Sequence, residues 1–252
     1  MRNSPLIDTT TLIIVAVTFL LAGTVKGVIG LGLPTISLAL LTATLGLQPA
    51  MALMLAPSLV TNLWQAVTGG HARAILARLW PFLVAATATV WIGTAVAATV
   101  DVALLAALLG GLLAIYAVIG LGRARLSLPP GSERWAGPLA GGVNGVLTGM
   151  TGSFVVPGVP YLLALGLPRG MLIQAMGVTF TLSTAALGLA LAGRGLLSAD
   201  LGLQSLAAIP PALLGMVLGR RLRGRLPEAA FRKVFFVALL ILGLYIIARS
   251  LG

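Results

Sequence analysis

Ala22-Gly-Thr-Val-Lys-Gly-Val-Ile-Gly-Leu-Gly-Leu-Pro34 gives the first clue to the architecture. Four glycines fall between Gly23 and Gly32, Pro34 follows, and Lys26 interrupts an otherwise apolar run. A continuous helix is costly there, because glycine loosens the backbone and proline removes a donor. A matching stretch returns later in the chain as Ala140-Gly-Gly-Val-Asn-Gly-Val-Leu-Thr-Gly-Met-Thr-Gly152. Gly23 and Gly27 align with Gly141 and Gly145 at an offset of 118 residues, which sets Asn144 opposite Lys26. Further on, Leu45-Gly-Leu-Gln-Pro-Ala-Met51 resembles Leu165-Gly-Leu-Pro-Arg-Gly-Met171 at an offset of 120. Pro81 and Gly93 have counterparts in Pro210, Pro211 and Gly219.

The rest of the chain says what kind of molecule carries this repeat. Of its 252 residues, 59% are hydrophobic and only 8% are charged. Soluble domains carry about 25% charged residues. A water-facing surface cannot be made from this composition, which excludes a soluble enzyme, a disordered chain and a nucleic-acid-binding domain. Without cysteine there is no disulfide, thiolate metal site or cysteine nucleophile. Apolar segments run at about 10–27, 33–45, 51–68, 79–98, 102–121, 136–149, 153–167, 171–192, 201–219 and 233–250. They are continuously apolar and do not alternate, so helices are expected and a transmembrane barrel is not. The first segment reads as a retained helix, because no small-residue cleavage site clearly ends it. The fold class is an all-α integral membrane protein of about ten hydrophobic helices or half-helices, arranged as two inverted repeats of about five. Residues 1–121 form the first repeat, 122–135 the polar linker and 136–252 the second. The pieces 33–45 and 136–149 are short for a full crossing.

Charge sets the orientation. With ten crossings, Arg73, Arg78, Arg123, Arg125, Arg134, Arg169, Arg220, Arg221, Arg223, Arg225, Arg232 and Lys233 share one side. Only Arg2, Arg194 and Arg249 fall on the other. The positive-inside rule then puts the basic loops in the cytoplasm and both termini outside. This accounts for most of the net charge of +11 without a polyanionic partner. Asp101 and Asp200, in short outer loops, are expected to cap helices.

The candidate site residues lie in the two glycine-rich stretches and in one polar helix face. Gly23-xxx-Gly27 and Gly141-xxx-Gly145-xxx-Gly149 suit close helix packing. Gly30, Gly32 and Gly152 fit broken helices instead, which occur at membrane depth where they line a cavity and whose N-terminal ends favour anions. Lys26 costs at least about 2.5–3.5 kcal/mol in hydrocarbon. It either snorkels to the interface or supplies a fixed positive charge to an anionic substrate. Asn144 offers a neutral amide at the matching place, and Thr148, Thr151 and Ser153 offer hydroxyls. Ser58, Thr61, Asn62 and Gln65 share one helix face; for Asn62 and Gln65 a polar cavity is expected, since buried amides are the costlier groups to leave unpaired. The expected substrate-binding set is therefore Lys26, Gly27, Gly30, Gly32, Asn62, Gln65, Asn144, Gly145, Thr148, Thr151, Gly152 and Ser153. No catalytic residue, metal ligand or cofactor is expected: GxxxxGK[ST] and HExxH are absent, and no carboxylate lies deep in a span.

On these paired glycine motifs, the central linker and the length, the chain resembles the sulfite exporter TauE/SafE family. The resemblance implies a bacterial inner-membrane protein that moves sulfite, sulfoacetate or related organosulfur anions, usually outward. The expected function is a secondary transporter, acting as an exporter of a small organosulfur or carboxylate anion by alternating access. An anion channel and a non-transporting scaffold subunit are the alternatives. The expected partners are a small anion and the lipid bilayer, with no nucleic acid. Proton or sodium coupling and a homodimer are compatible with the sequence.

Overall fold

The structure is a computed structural model that describes residues 9–122, 126–129, 131–224 and 227–252. Arg2, Arg123, Arg125 and Arg225, and with them part of the linker, lie outside the described residues. The described residues form helices and no strand. In chain order these are α1 (Thr9–Ile29), α2 (Leu33–Leu45), α3 (Leu47–Leu53), α4 (Leu55–Val67), α5 (Ala72–Ala88), α6 (Val90–Ala97) and α7 (Val102–Leu121). The series continues with α8 (Glu133–Thr151), α9 (Gly158–Ala164), α10 (Arg169–Gly193), α11 (Ala199–Ala207), α12 (Ile209–Arg223) and α13 (Glu228–Leu251).

Six stretches are long and apolar enough to cross a membrane: α1, α5 with α6, α7, α10, α11 with α12, and α13. A seventh is added if α3 and α4, bent by 43° at Met54, count as one span. The remaining helices depart from a plain count of ten crossings. α2 has 13 residues and α9 only 7. α8 is long enough at 19 residues but is diluted by Glu133, Arg134, Asn144 and its glycines. The protein is thus a multi-pass helical membrane protein in which several elements are shorter or more polar than a standard span.

Four pairings hold the bundle together: α1 on α12, α8 on α5 and α6, α7 on α13, and α4 on α10. Glycine permits all four; on α10, a Cβ on Gly177 would lie 2.7 Å from Ala66 N of α4. A Cβ on Gly23 would strike the Ala212 carbonyl, and one on Gly27 would lie 2.8 Å from Gly219 Cα. On the other pair, a Cβ on Gly141 would strike the Phe82 carbonyl, and one on Gly149 would lie 2.6 Å from Thr94 N. In α7 and α13, Gly110 and Gly243 face each other in the same way. Van der Waals contact is the main attraction available between helices in lipid, and small residues let backbones approach closely enough to use it.

The two ends of the bundle differ in charge. At one end His71 N donates to Gln174 Oε1 at 2.8 Å, and Arg78 Nε donates to Glu133 Oε2 at 3.1 Å. Arg134, Arg169, Arg220 and Arg223 belong to the same end. At the other end are Arg194 and Arg249, the latter donating to the Ala43 carbonyl. Asp101 caps α7 through a 2.7 Å bond from Ala103 N. The corresponding expectation for Asp200 is corrected: Ser198 caps α11, accepting from Leu201 N, and Asp200 lies within the first turn of the helix.

Candidate functional site

α1 ends where its glycines prevent further helix. Gly30 (φ +84°) and Gly32 (φ +104°) both adopt the left-handed conformation, which glycine takes without steric cost. The chain reverses there, and Pro34 opens α2. In the second half Gly152 (φ +75°) ends α8, and residues 153–157 lead irregularly into α9.

Lys26 lies one turn before the first break and is 4% exposed. It does not snorkel to open solvent. Its Nζ donates to Thr61 Oγ1 at 3.1 Å and to Asn62 Oδ1, both on α4. Thr61 in turn donates to the Pro57 carbonyl at 2.8 Å, so its lone pair is turned toward the ammonium. These partners are neutral, and Lys26 has no carboxylate partner among the described residues. Asn62 Nδ2 is buried with no partner among the described residues, as are Ser58 Oγ beside it and Thr179, Ser183 and Thr184 on the paired helix α10. Buried polar atoms are normally paired by protein or by ordered water. These atoms give the α4–α10 interface a polar interior.

Gln65 braces the break. Its Nε2 donates to the Gly30 carbonyl at 3.2 Å and to the Ile173 carbonyl at 2.8 Å. Gln174 makes the reciprocal bond to the Ala66 carbonyl, 2.8 Å long, across the α4–α10 pair. Lys26, Gly30, Thr61 and Gln65 line a cleft of about 300 Å³, with Arg220 and Arg223 on its wall. Neither arginine is ion-paired among the described residues. Three basic side chains and no carboxylate line this one small cleft, an arrangement that favours negative over positive charge there.

Other expected residues have different positions. Gly27 lines the cleft but is wedged against α12. Gly32 packs toward the Phe235 ring. Asn144 is fully buried; its Oδ1 accepts from Gly158 N at 3.0 Å, which ties α8 to the start of α9, and its Nδ2 is unpartnered. Gly145 is a packing glycine against Ala86 and Thr89. Thr148 donates to the Asn144 carbonyl and Thr151 to the Leu147 carbonyl, each at 2.7 Å, so their hydroxyl hydrogens are engaged locally. Ser153 N bonds back to Thr151 Oγ1, and Gly152 packs against Met51, Leu38 and Met54.

The two breaks thus have different neighbours. The first meets Gln65 near the end of α4, and the second meets Met51 in α3. Beside the second break a separate cleft of about 340 Å³ is lined by Gln48, Met51, Thr94, Gly149 and Arg194. The sequence reading did not assign Arg220 and Arg223 to the site. Their i, i+3 spacing, with Met216 a turn earlier, was the available signal that one face of α12 carries them together.

A many-helix apolar bundle with a buried lysine beside a basic cleft defines a multi-pass membrane protein. The model of the sulfite exporter TauE/SafE family matches residues 15–246, and the chain belongs to that family of membrane transporters. Comparison with curated proteins and with solved structures returned no match.

Proposed function

We propose that this protein is a secondary exporter of a small anion, a sulfite, organosulfonate or carboxylate, held at Lys26. One observation carries the reading. A buried ammonium has only neutral oxygens as partners, at the floor of a cleft whose wall carries two free arginines. A buried charge is stable when it is paired, and a substrate anion is the missing partner. Asn62 Nδ2 and Gln65 lie at the same place to bond its oxygens. Gly27 and Gly30 let the backbone approach, and Gly32 lets the chain turn. Asn144, Gly145, Thr148, Thr151, Gly152 and Ser153 would shape the second break, on the far side of the path.

The architecture we propose is two inverted repeats of five units, joined by the 122–135 linker. α1, α2, α3–α4, α5–α6 and α7 would correspond to α8, α9, α10, α11–α12 and α13. The packing supports it: the first unit of each half lies on the fourth of the other, third lies on third, and fifth on fifth. The 12-to-3 arginine and lysine distribution supports a cytoplasmic Lys26 cleft and an outer Arg194 cleft, in a bacterial inner membrane with both termini outside. Two clefts at opposite ends, each beside a break, suit alternating access. An inside-negative potential favours anion exit by about 2.3 kcal/mol per elementary charge per 100 mV, so outward movement needs no buried carboxylate for coupling.

The test is counterflow in proteoliposomes with labelled sulfite, competed by sulfoacetate, taurine and simple carboxylates. Saturable uptake that requires trans-side substrate supports the carrier. Passive flux without counterflow would mean a channel, and no anion flux from folded protein would refute the proposal.

A further inference from the structure

A lateral groove of about 660 Å³ lies between α4 and α12. Val60, Leu63 and Val67 form one wall and Leu213 and Val217 the other. All five are exposed, Val67 at 67%. The gap is specific to this side. α4 and α12 touch along only a short stretch, whereas α10, the partner of α4, closes against both α5 and α6. At the end of the apolar channel stands Arg220, followed by Arg221 and Arg223, all exposed. The ion pair formed among the described residues, Arg78 with Glu133, does not involve them.

We propose that this groove is a binding site for an anionic phospholipid. One acyl chain lies along Val60, Leu63, Val67, Leu213 and Val217, and the phosphate meets Arg220 and Arg223. An apolar channel ending in arginines that form no ion pair among the described residues matches a molecule with an apolar tail and a charged head. Basic pockets between membrane helices on the cytoplasmic side bind anionic headgroups in this way. A second copy of the chain would cover the apolar walls but leave the arginines unneutralised, unless it supplied carboxylates; the chain has only 5 acidic residues.

The site also touches the Lys26 cleft. Thr61, Trp64, Met216 and Arg220 line both the groove and the cleft. A phosphate on Arg220 therefore stands at the cleft's lateral rim, where it shares a cation with any anion approaching Lys26. The lipid site itself does not depend on what the cleft transports.

Trp64, 62% exposed and lining the groove, reports occupancy directly. The experiment uses the full chain with Trp80, Trp91 and Trp135 changed to Phe, reconstituted in phosphatidylcholine. Brominated phosphatidylglycerol or brominated phosphatidylcholine is then titrated in. Trp64 fluorescence should be quenched by the anionic lipid at a lower mole fraction, with roughly a fivefold preference contributed by each arginine. R220Q/R223Q should bring the two curves together, while Arg220→Lys keeps them apart. Val217→Phe, which fills the groove but leaves the arginines, should weaken quenching by the anionic lipid. Coincident curves in the parent, or a preference that survives R220Q/R223Q, would overturn the proposal. Quenching by neither lipid would also overturn it, and would assign the groove to a second copy of the chain.

Discussion

Replacing Lys26 with Met separates the functional role of this residue from its structural one. Methionine keeps the length and flexibility of the side chain and removes the charge. On the structural side, Thr61 retains its bond to the Pro57 carbonyl. Asn62 Oδ1 loses its donor at a fully buried position, which costs about 1–3 kcal/mol. Against this, the chain no longer buries an ammonium, a group that costs at least about 2.5–3.5 kcal/mol at membrane depth. The two nearly cancel, so K26M folds with a melting temperature equal to or above the parent's. On the functional side, the anion loses a charge-assisted hydrogen bond of about 1.5–3 kcal/mol. At 4 Å and an effective dielectric of 20, the Coulomb attraction is about 4 kcal/mol. The lower and upper figures correspond to roughly tenfold and thousandfold weaker anion binding. Counterflow of labelled sulfite, with detergent-phase thermal unfolding on the same preparation, reads both sides. K26M that transports within about threefold of the parent, at equal stability, would remove Lys26 from the binding site.

Three further outcomes follow from the same geometry. Gly219→Ala forces a Cβ onto the Thr24 carbonyl and Gly27 Cα, so it should destabilise by about 1–3 kcal/mol; Gly111→Ala, with nothing within 4 Å, should leave thermal unfolding unchanged or raised. Asn144→Leu strands Gly158 N and should cost about 1–3 kcal/mol with loss of transport, whereas Asn144→Asp keeps the acceptor and should retain more of the fold, a contrast read by unfolding and flux together. Raising ionic strength from about 0.01 to 0.15 M shortens the screening length from about 30 to 8 Å; the half-saturating anion concentration at the Arg220 side should rise, and R220Q/R223Q should flatten that dependence.

The fold was largely legible because lipid imposes one requirement on every span. Segment 33–45 is apolar but too short for a full crossing, and α2 occupies those residues. The glycines before Pro34 announced a break, and Gly30 and Gly32 make it with positive φ. Lys26 stood out as a charge with no acidic neighbour in sequence, and its partners Thr61 and Asn62 lie on the polar face that periodicity picked out on α4. What periodicity does not carry is which helices touch. Gly27 and Gly145 share a motif with site residues, yet each is pressed against a helix from the opposite half. Arg220 and Arg223 looked like topology signals, because nothing local reveals that α12 lies beside α1. Nor does periodicity carry where the two breaks lie: each ends its own helix, and they meet different parts of the α3–α4 span.

The exchange of partners between halves also bears on how the chain is made. α1 is made long before α12, which begins at Ile209, yet the surface that Gly23 and Gly27 are shaped to receive belongs to α12. Until α12 is synthesised, α1 carries its lysine through lipid with a glycine-lined face uncovered. α5 and α6 wait in the same way for Gly141, Gly145 and Gly149 of α8. Neither half is a self-sufficient assembly intermediate, and a ribosome stalled at the linker leaves α1 without its principal partner. Two fragments cut at the linker should regain the native bundle only when expressed together, each acting as the other's template.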